Sequence, residues 1–157
     1  MLIIAVAQAF QPVPIIGRPV AAEIFKDDLT AGLMRLHKSR QKPMLLLALD
    51  TATATGSLAL VADGQVLTES SLESHNDYLT CLMPGVEAML RNSGHAVTDL
   101  TAVAVSTGPG NFTGLRIGLA TAKTLAWSLN CPLVPVPTLE VLAARFPFYP
   151  HPVGVIM

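Results

Sequence analysis

The chain has 157 residues, 51% of them hydrophobic and 13% charged, with a formal net charge of -1. That length and apolar content suit one folded domain with a real core and exclude general disorder. The charge is unevenly spread: residues 1–43 hold six basic and three acidic side chains, residues 44–157 four basic and eight acidic. The main body therefore offers no basic stripe for a phosphate backbone, and strong direct nucleic-acid binding by it is not expected.

Residues 1–43 read as an atypical N-terminal extension, partly helical or poorly ordered. Pro12, Pro14 and Pro19 interrupt any early helix or central strand. A short helix is expected from about Ala21 to His37, with Leu29, Leu33 and Leu36 on one face. Lys38, Arg40 and Lys42 crowd its end, where cations suit the helix dipole. The opening Met1–Phe10 run is apolar but brief and has no basic residue before it, so no export signal is read and a cytoplasmic location is expected. No apolar run is long enough to cross a bilayer.

Met44 to Asp50 is a continuous apolar strand ending in a carboxylate, and Ser57 to Ala62 is a second strand. Asp63-Gly64 is a hairpin signal, leading to a third strand from Gln65 to Glu73. A helix is expected from His75 to Asn92, with Ser74 as its cap, Asp77 completing a capping box and Pro84 bending or splitting it. Its apolar face is Tyr78, Leu79, Leu82, Met83, Val86, Met89 and Leu90. Leu100 to Ser106 reads as a buried strand, Phe112 to Leu129 as a helix, Leu133 to Pro137 as a strand, and Thr138 as the cap of a helix reaching Arg145. Val153–Met157 looks like a strand that stops as it starts.

Three meander strands followed by alternating helices and strands predict an α/β fold: a mixed five-stranded sheet with flanking helices, as in a ribonuclease-H-like or actin-like lobe. The expected domain plan is an extension over 1–43, this lobe over 44–150, and the first strand of a truncated second lobe over 151–157.

Two segments carry candidate chemistry. Asp50 ends a buried strand ahead of Thr51-Ala52-Thr53-Ala54-Thr55-Gly56. A carboxylate there suits Mg²⁺ through water, and hydroxyls and amides beside it suit phosphate; equally, it is a strand-end Asp capping a turn. The run Gly108-Pro109-Gly110-Asn111-Phe112-Thr113-Gly114-Leu115-Arg116-Ile117-Gly118 follows a strand and opens a helix. Asp50, Thr51, Gly108 and Gly110 are thus nucleotide-site candidates. The run is no Walker A loop, because no Lys-Ser/Thr pair follows its last glycine.

Close packing is the other reading. Gly110, Gly114, Gly118 and Ala122 recur every fourth residue and give a smooth helix face against which a second helix fits. Tyr78, Leu82 and Met89 together with this small-residue face make an expected helical interface with two helices of another subunit. His75 lacks a ligand partner four residues on, so no metal pair is read, and no nucleophile–base set stands out. Trp127, Met83 and Met89 are read as core or groove residues, Cys81 and Cys131 as buried thiols.

Leu46-Leu47-Ala48-Leu49-Asp50-Thr51-Ala52-Thr53, Ser57-Leu58-Ala59-Leu60, Ser74-His75, Leu82-Met83-Pro84 and the Ser106–Gly118 run together resemble the TsaB family, bacterial proteins that help make threonylcarbamoyladenosine in tRNA. The resemblance spans about Met44 to Met157. It implies an actin-like (ASKHA) fold and a glycoprotease-like, M22-like protein without catalytic residues of its own. The implied partners are a TsaD-like catalytic subunit and a TsaE-like ATPase, with a homodimer through the same early helices, and neither cofactor nor membrane; the implied interface residues are His75, Tyr78, Leu79, Leu82, Met83, Val86, Gly114, Gly118 and Ala122. The second expectation is an ATPase or phosphotransferase of the actin and sugar-kinase class, using ATP and Mg²⁺ at Asp50 and the Gly108–Gly118 segment.

Overall fold

The computed structural model describes residues 43–73, 78–144 and 154–155. Within them, β1 (Leu45–Asp50), β2 (Thr55–Ala62) and β3 (Gln65–Glu73) form an antiparallel meander. Helix α1 (Tyr78–Asn92), a 3₁₀ turn (Val97–Asp99), β4 (Ala102–Ser106), α2 (Phe112–Ser128), β5 (Leu133–Val136) and α3 (Thr138–Ala143) follow. The sheet order is β3-β2-β1-β4-β5, with β4 parallel to both β1 and β5. The expected mixed five-stranded sheet with flanking helices is the architecture observed.

Every residue of β1 and β4 is buried, as central strands covered on both faces require. Alternation sorts their side chains. Leu45, Leu47, Leu49, Leu58, Leu60, Val103 and Val105 form one core with α1 and α2. Leu46, Ala48, Ala59, Val61, Ala102 and Ala104 form another with Val134, Val136 and Val141. Large side chains thus face the two long helices, and mainly small ones the opposite layer. The β2–β3 hairpin closes through Asp63 (φ 47°) and Gly64 (φ 83°). Both are left-handed, the conformation that matches strand twist in a two-residue turn.

Several local expectations are corrected. Pro84 does not split α1, which runs unbroken past it. It lies on the exposed side, where a carbonyl deprived of its amide partner can turn to water. Thr138 is the first residue of α3 rather than its cap, which is Pro137; the Thr138 hydroxyl instead accepts from Gly108 N at 3.0 Å. Trp127 is not core but 86% exposed, whereas Met89 is buried. Cys81 and Cys131 are half-buried and outside any disulfide. The extension, Ser74, His75 and Asp77 lie outside the described residues. Of the C-terminal strand only Gly154 and Val155 are described, and they belong to no strand. No helix among the described residues is long and apolar enough to cross a membrane.

Candidate functional site

The strand register puts the two candidate segments at one edge. Leu49 lies beside Val105 in the parallel β1–β4 pair, so Asp50 and Ser106 end their strands together. The β1–β2 loop and the turn after β4 leave the sheet side by side. In open sheets of this kind, ligands bind where strand ends meet such loops.

Hydrogen bonds with α1 and α2 hold the loop. Asp50 is buried, and its Oδ1 accepts from Ala52 N at 3.0 Å, a turn the carboxylate makes on itself. Thr51 is fully buried, and its hydroxyl donates to the carbonyl of Gly114 at 2.8 Å. The Ala52 carbonyl accepts from Asn111 N at 2.7 Å. The Thr53 carbonyl accepts from the Tyr78 hydroxyl at 2.5 Å, and the Thr53 hydroxyl donates to Thr55 O at 2.7 Å. Ser106 Oγ is buried with no hydrogen-bond partner among the described residues.

The second segment is shaped by the same approach. Gly108 has φ +106°, a conformation glycine accepts and side chains resist. Its N–H donates to Thr138 Oγ1 and its carbonyl accepts from Thr138 N at 2.9 Å, which ties the turn to α3. A Cβ on Gly110 would stand 2.5 Å from the Ala52 carbonyl oxygen. Asn111 caps α2, its side chain accepting from Gly114 N at 2.9 Å. The asparagine ahead of the helix was the sequence signal for that cap.

The glycine face has the cause expected of it, close approach, but a different neighbour. A Cβ on Gly114 would collide with the Thr51 carbonyl, and one on Gly118 with Thr51 Oγ1. The smooth side of α2 is filled by Thr51 at the end of β1, with the Tyr78 ring at the start of α1 beside it on Gly114. A Cβ on Gly56 would stand 2.6 Å from Tyr78 Cε1, so the Tyr78 ring closes over the same loop.

The residues expected at an interface divide between the interior and the surface. Tyr78, Leu82, Val86, Gly114, Gly118 and Ala122 are buried within the chain. The sheet takes the apolar stripe that a partner helix was expected to take. Leu79 is 76% exposed and Met83 half-buried, while His75 lies outside the described residues. Two exposed aromatics were not anticipated: Trp127 and Phe112, the latter 67% exposed with the Arg116 guanidinium 4.1 Å from its ring centroid.

Asp50, Thr51, Gly108 and Gly110 do meet at one edge, but around protein groups. No set of three or more His, Cys, Asp or Glu side chains placed to hold a metal ion occurs among the described residues. A cation at Asp50 would rest on a single carboxylate, one oxygen of which already accepts from Ala52 N.

Comparison with known proteins agrees with this architecture. Residues 65–157 match the family model described as TsaD: tRNA N6-adenosine threonylcarbamoyltransferase. The chain is 41% identical over 102 residues to the tRNA threonylcarbamoyladenosine biosynthesis protein TsaB of Bacillus subtilis, covering 65% of this chain and 44% of that one. It is 40% identical over 100 residues to the protein of the same name from Escherichia coli, covering 64% and 43%. Among solved structures it resembles YeaZ from Pseudomonas aeruginosa, with TM-score 0.57 and 35% identity over 66% of this chain and 48% of the other. The chain thus spans under half the length of these two curated relatives.

Proposed function

Because the chain belongs to the TsaD family of tRNA threonylcarbamoyladenosine proteins, and within it to the TsaB/YeaZ proteins, we propose that it is a non-catalytic subunit in forming N6-threonylcarbamoyladenosine in tRNA. It pairs with a TsaD-like catalytic subunit and works alongside a TsaE-like ATPase. The observation that carries this reading is the identity of about two residues in five with proteins named TsaB, over 102 and 100 residues of the chain.

The site geometry supports it. A loop that cradles phosphate keeps its amides turned toward the ligand. Here the Asp50 carboxylate occupies the Ala52 amide, and the Thr51 hydroxyl is turned into α2. The chain's part is then to present a surface, and the outward sides of α1 and α2 offer the exposed Leu79, Phe112 and Trp127 for it. The buried stripe is the wrong face for that role. Leu79 and the exposed residues of α2 are the right one.

Reconstitution tests the proposal. The TsaD-like subunit and TsaE-like ATPase of the source organism, with unmodified tRNA, threonine, bicarbonate and ATP, are expected to form the modified nucleoside only when this chain is added. Product formation that is indifferent to the chain contradicts it.

A further inference from the structure

We infer that the N-terminal extension docks on the sheet face opposite α1 and α2, through the apolar side of the helix expected over Ala21–His37, and completes the layer that α3 begins. The inference is independent of the subunit reading above. The strand register lays this face out in rows. Val66, Val61, Leu46 and Ala102 stand side by side across β3, β2, β1 and β4. Ala59, Ala48, Ala104 and Val134 form the next row, across β2, β1, β4 and β5. A row of alanines is low enough for a helix to approach closely, and the larger side chains then come from the helix.

The described residues leave part of this face without a visible cover. Leu46, Ala48, Ala59 and Val61 are at most 1% exposed, although α1 and α2 pack on the other side. Among the described residues, the helix on the near side is α3, six residues long. Its Val141 joins Val134 and Val136, and Thr138 ties it to the turn after β4, so it lies toward β4 and β5. Over β1 and β2 a strip about 10 Å wide is left, at a strand spacing of about 4.8 Å. That is the width of one helix. Val66 on β3, 41% exposed, lies at the margin of the strip.

Four features select the occupant. The extension joins the lobe at this strip: Met44 N donates to Asp63 Oδ1 and Asp63 N to the Met44 carbonyl, both at 3.0 Å, which fixes the junction at the start of β1. Its length fits, since the 17 residues of Ala21–His37 reach about 25 Å as a helix, and the six of β1 about 20 Å. Ala22, Phe25, Leu29, Leu33 and Leu36 fall within about 80° around such a helix, one apolar stripe. Charge favours the contact, because residues 1–43 hold six basic side chains against three acidic, and residues 44–157 four against eight. Residues 145–153 are a poorer cover, with Pro147, Pro150 and Pro152 barring a helix of that length. A second copy is not required, because the strip is closed within one chain.

Two neighbouring substitutions in the full chain test the contact. Leu33 belongs to the apolar stripe and Met34, about 100° further round, does not. L33D should quicken amide exchange in β1 and β2 about tenfold or more and lower the urea midpoint. M34D, the same apolar-to-acid change, should leave both as in the parent, and L33A should lie between. A second measurement places p-benzoylphenylalanine at Val66, at the margin of the strip. Irradiation should join it to residues within 21–37 of the same molecule, read by mass spectrometry of the monomer.

L33D exchanging like the parent overturns the inference, and so does M34D disturbing β1 and β2 as much as L33D. L33D failing to fold while M34D folds supports it. Cross-links from Val66 to residues 145–153, or to a second copy, assign the strip to those occupants and overturn it. The absence of any link to residues 21–37 overturns it too. Each of these outcomes leaves the subunit reading where it stood.

Discussion

The hydroxyl of Thr51 donates to the carbonyl of Gly114 across 63 residues of sequence, at 2.8 Å. One helical turn further on, Gly118 lies against the same threonine. The contact joins the end of the central strand to the first turns of α2. It is why the glycines recur every fourth residue, and it leaves the strand-end loop filled by protein.

Gly118→Ala should therefore destabilise the fold despite the better helix propensity of alanine. The propensity gain is about 1 kcal/mol and overpacking costs about 1–3 kcal/mol, so a net loss of up to about 2 kcal/mol is expected in urea denaturation. Adding Thr51→Ala removes the atom struck by the new methyl. The double variant should then be more stable than the sum of the single losses, a coupling that two independent sites would not show.

Tyr78→Phe keeps the ring over Gly56 and Gly114 but removes the bond to the Thr53 carbonyl. A loss of about 0.5–1.5 kcal/mol is expected, and amide exchange should quicken over residues 52–55 more than in the β4–β5 pair.

Much of the fold was legible because its signals are local. The apolar run of β1, the Asp63-Gly64 turn and the strand–helix alternation fix the element order without knowledge of distant contacts. The neighbour of each apolar helix face was not legible. Tyr78, Leu82 and Val86 satisfy a sheet as well as they satisfy a partner helix, and spacing alone does not distinguish the two. Thr51 gave no sign of its partner because Gly114 is remote in sequence. Trp127 was misplaced because aromatic size argues for burial, whereas its position on the outward side of α2 decides its exposure.

Asn111→Ala should cost about 1 kcal/mol in the same denaturation assay, through loss of the cap on Gly114 N. The deficit should be recovered largely by Asp or Ser at this position, since either offers an oxygen to that amide.

Core and surface should separate cleanly. Leu47→Ala, at a fully buried site between sheet and helices, is expected to cost about 2–5 kcal/mol. Trp127→Ala, at an exposed site, should change stability by less than about 0.5 kcal/mol while weakening partner binding.

Calorimetry separates the subunit from the phosphotransferase reading. Titration of the chain with Mg²⁺ and ATP should give no binding heat, and Asp50→Ala should change nothing in that experiment. Saturable heat abolished by Asp50→Ala would favour the phosphotransferase.

The most direct measurement is light scattering on a size-exclusion column, with this chain and the TsaD-like subunit of its source organism mixed at micromolar concentration. The account predicts a new species at the summed mass of one of each. Two unshifted peaks, each at the mass found alone, would contradict it.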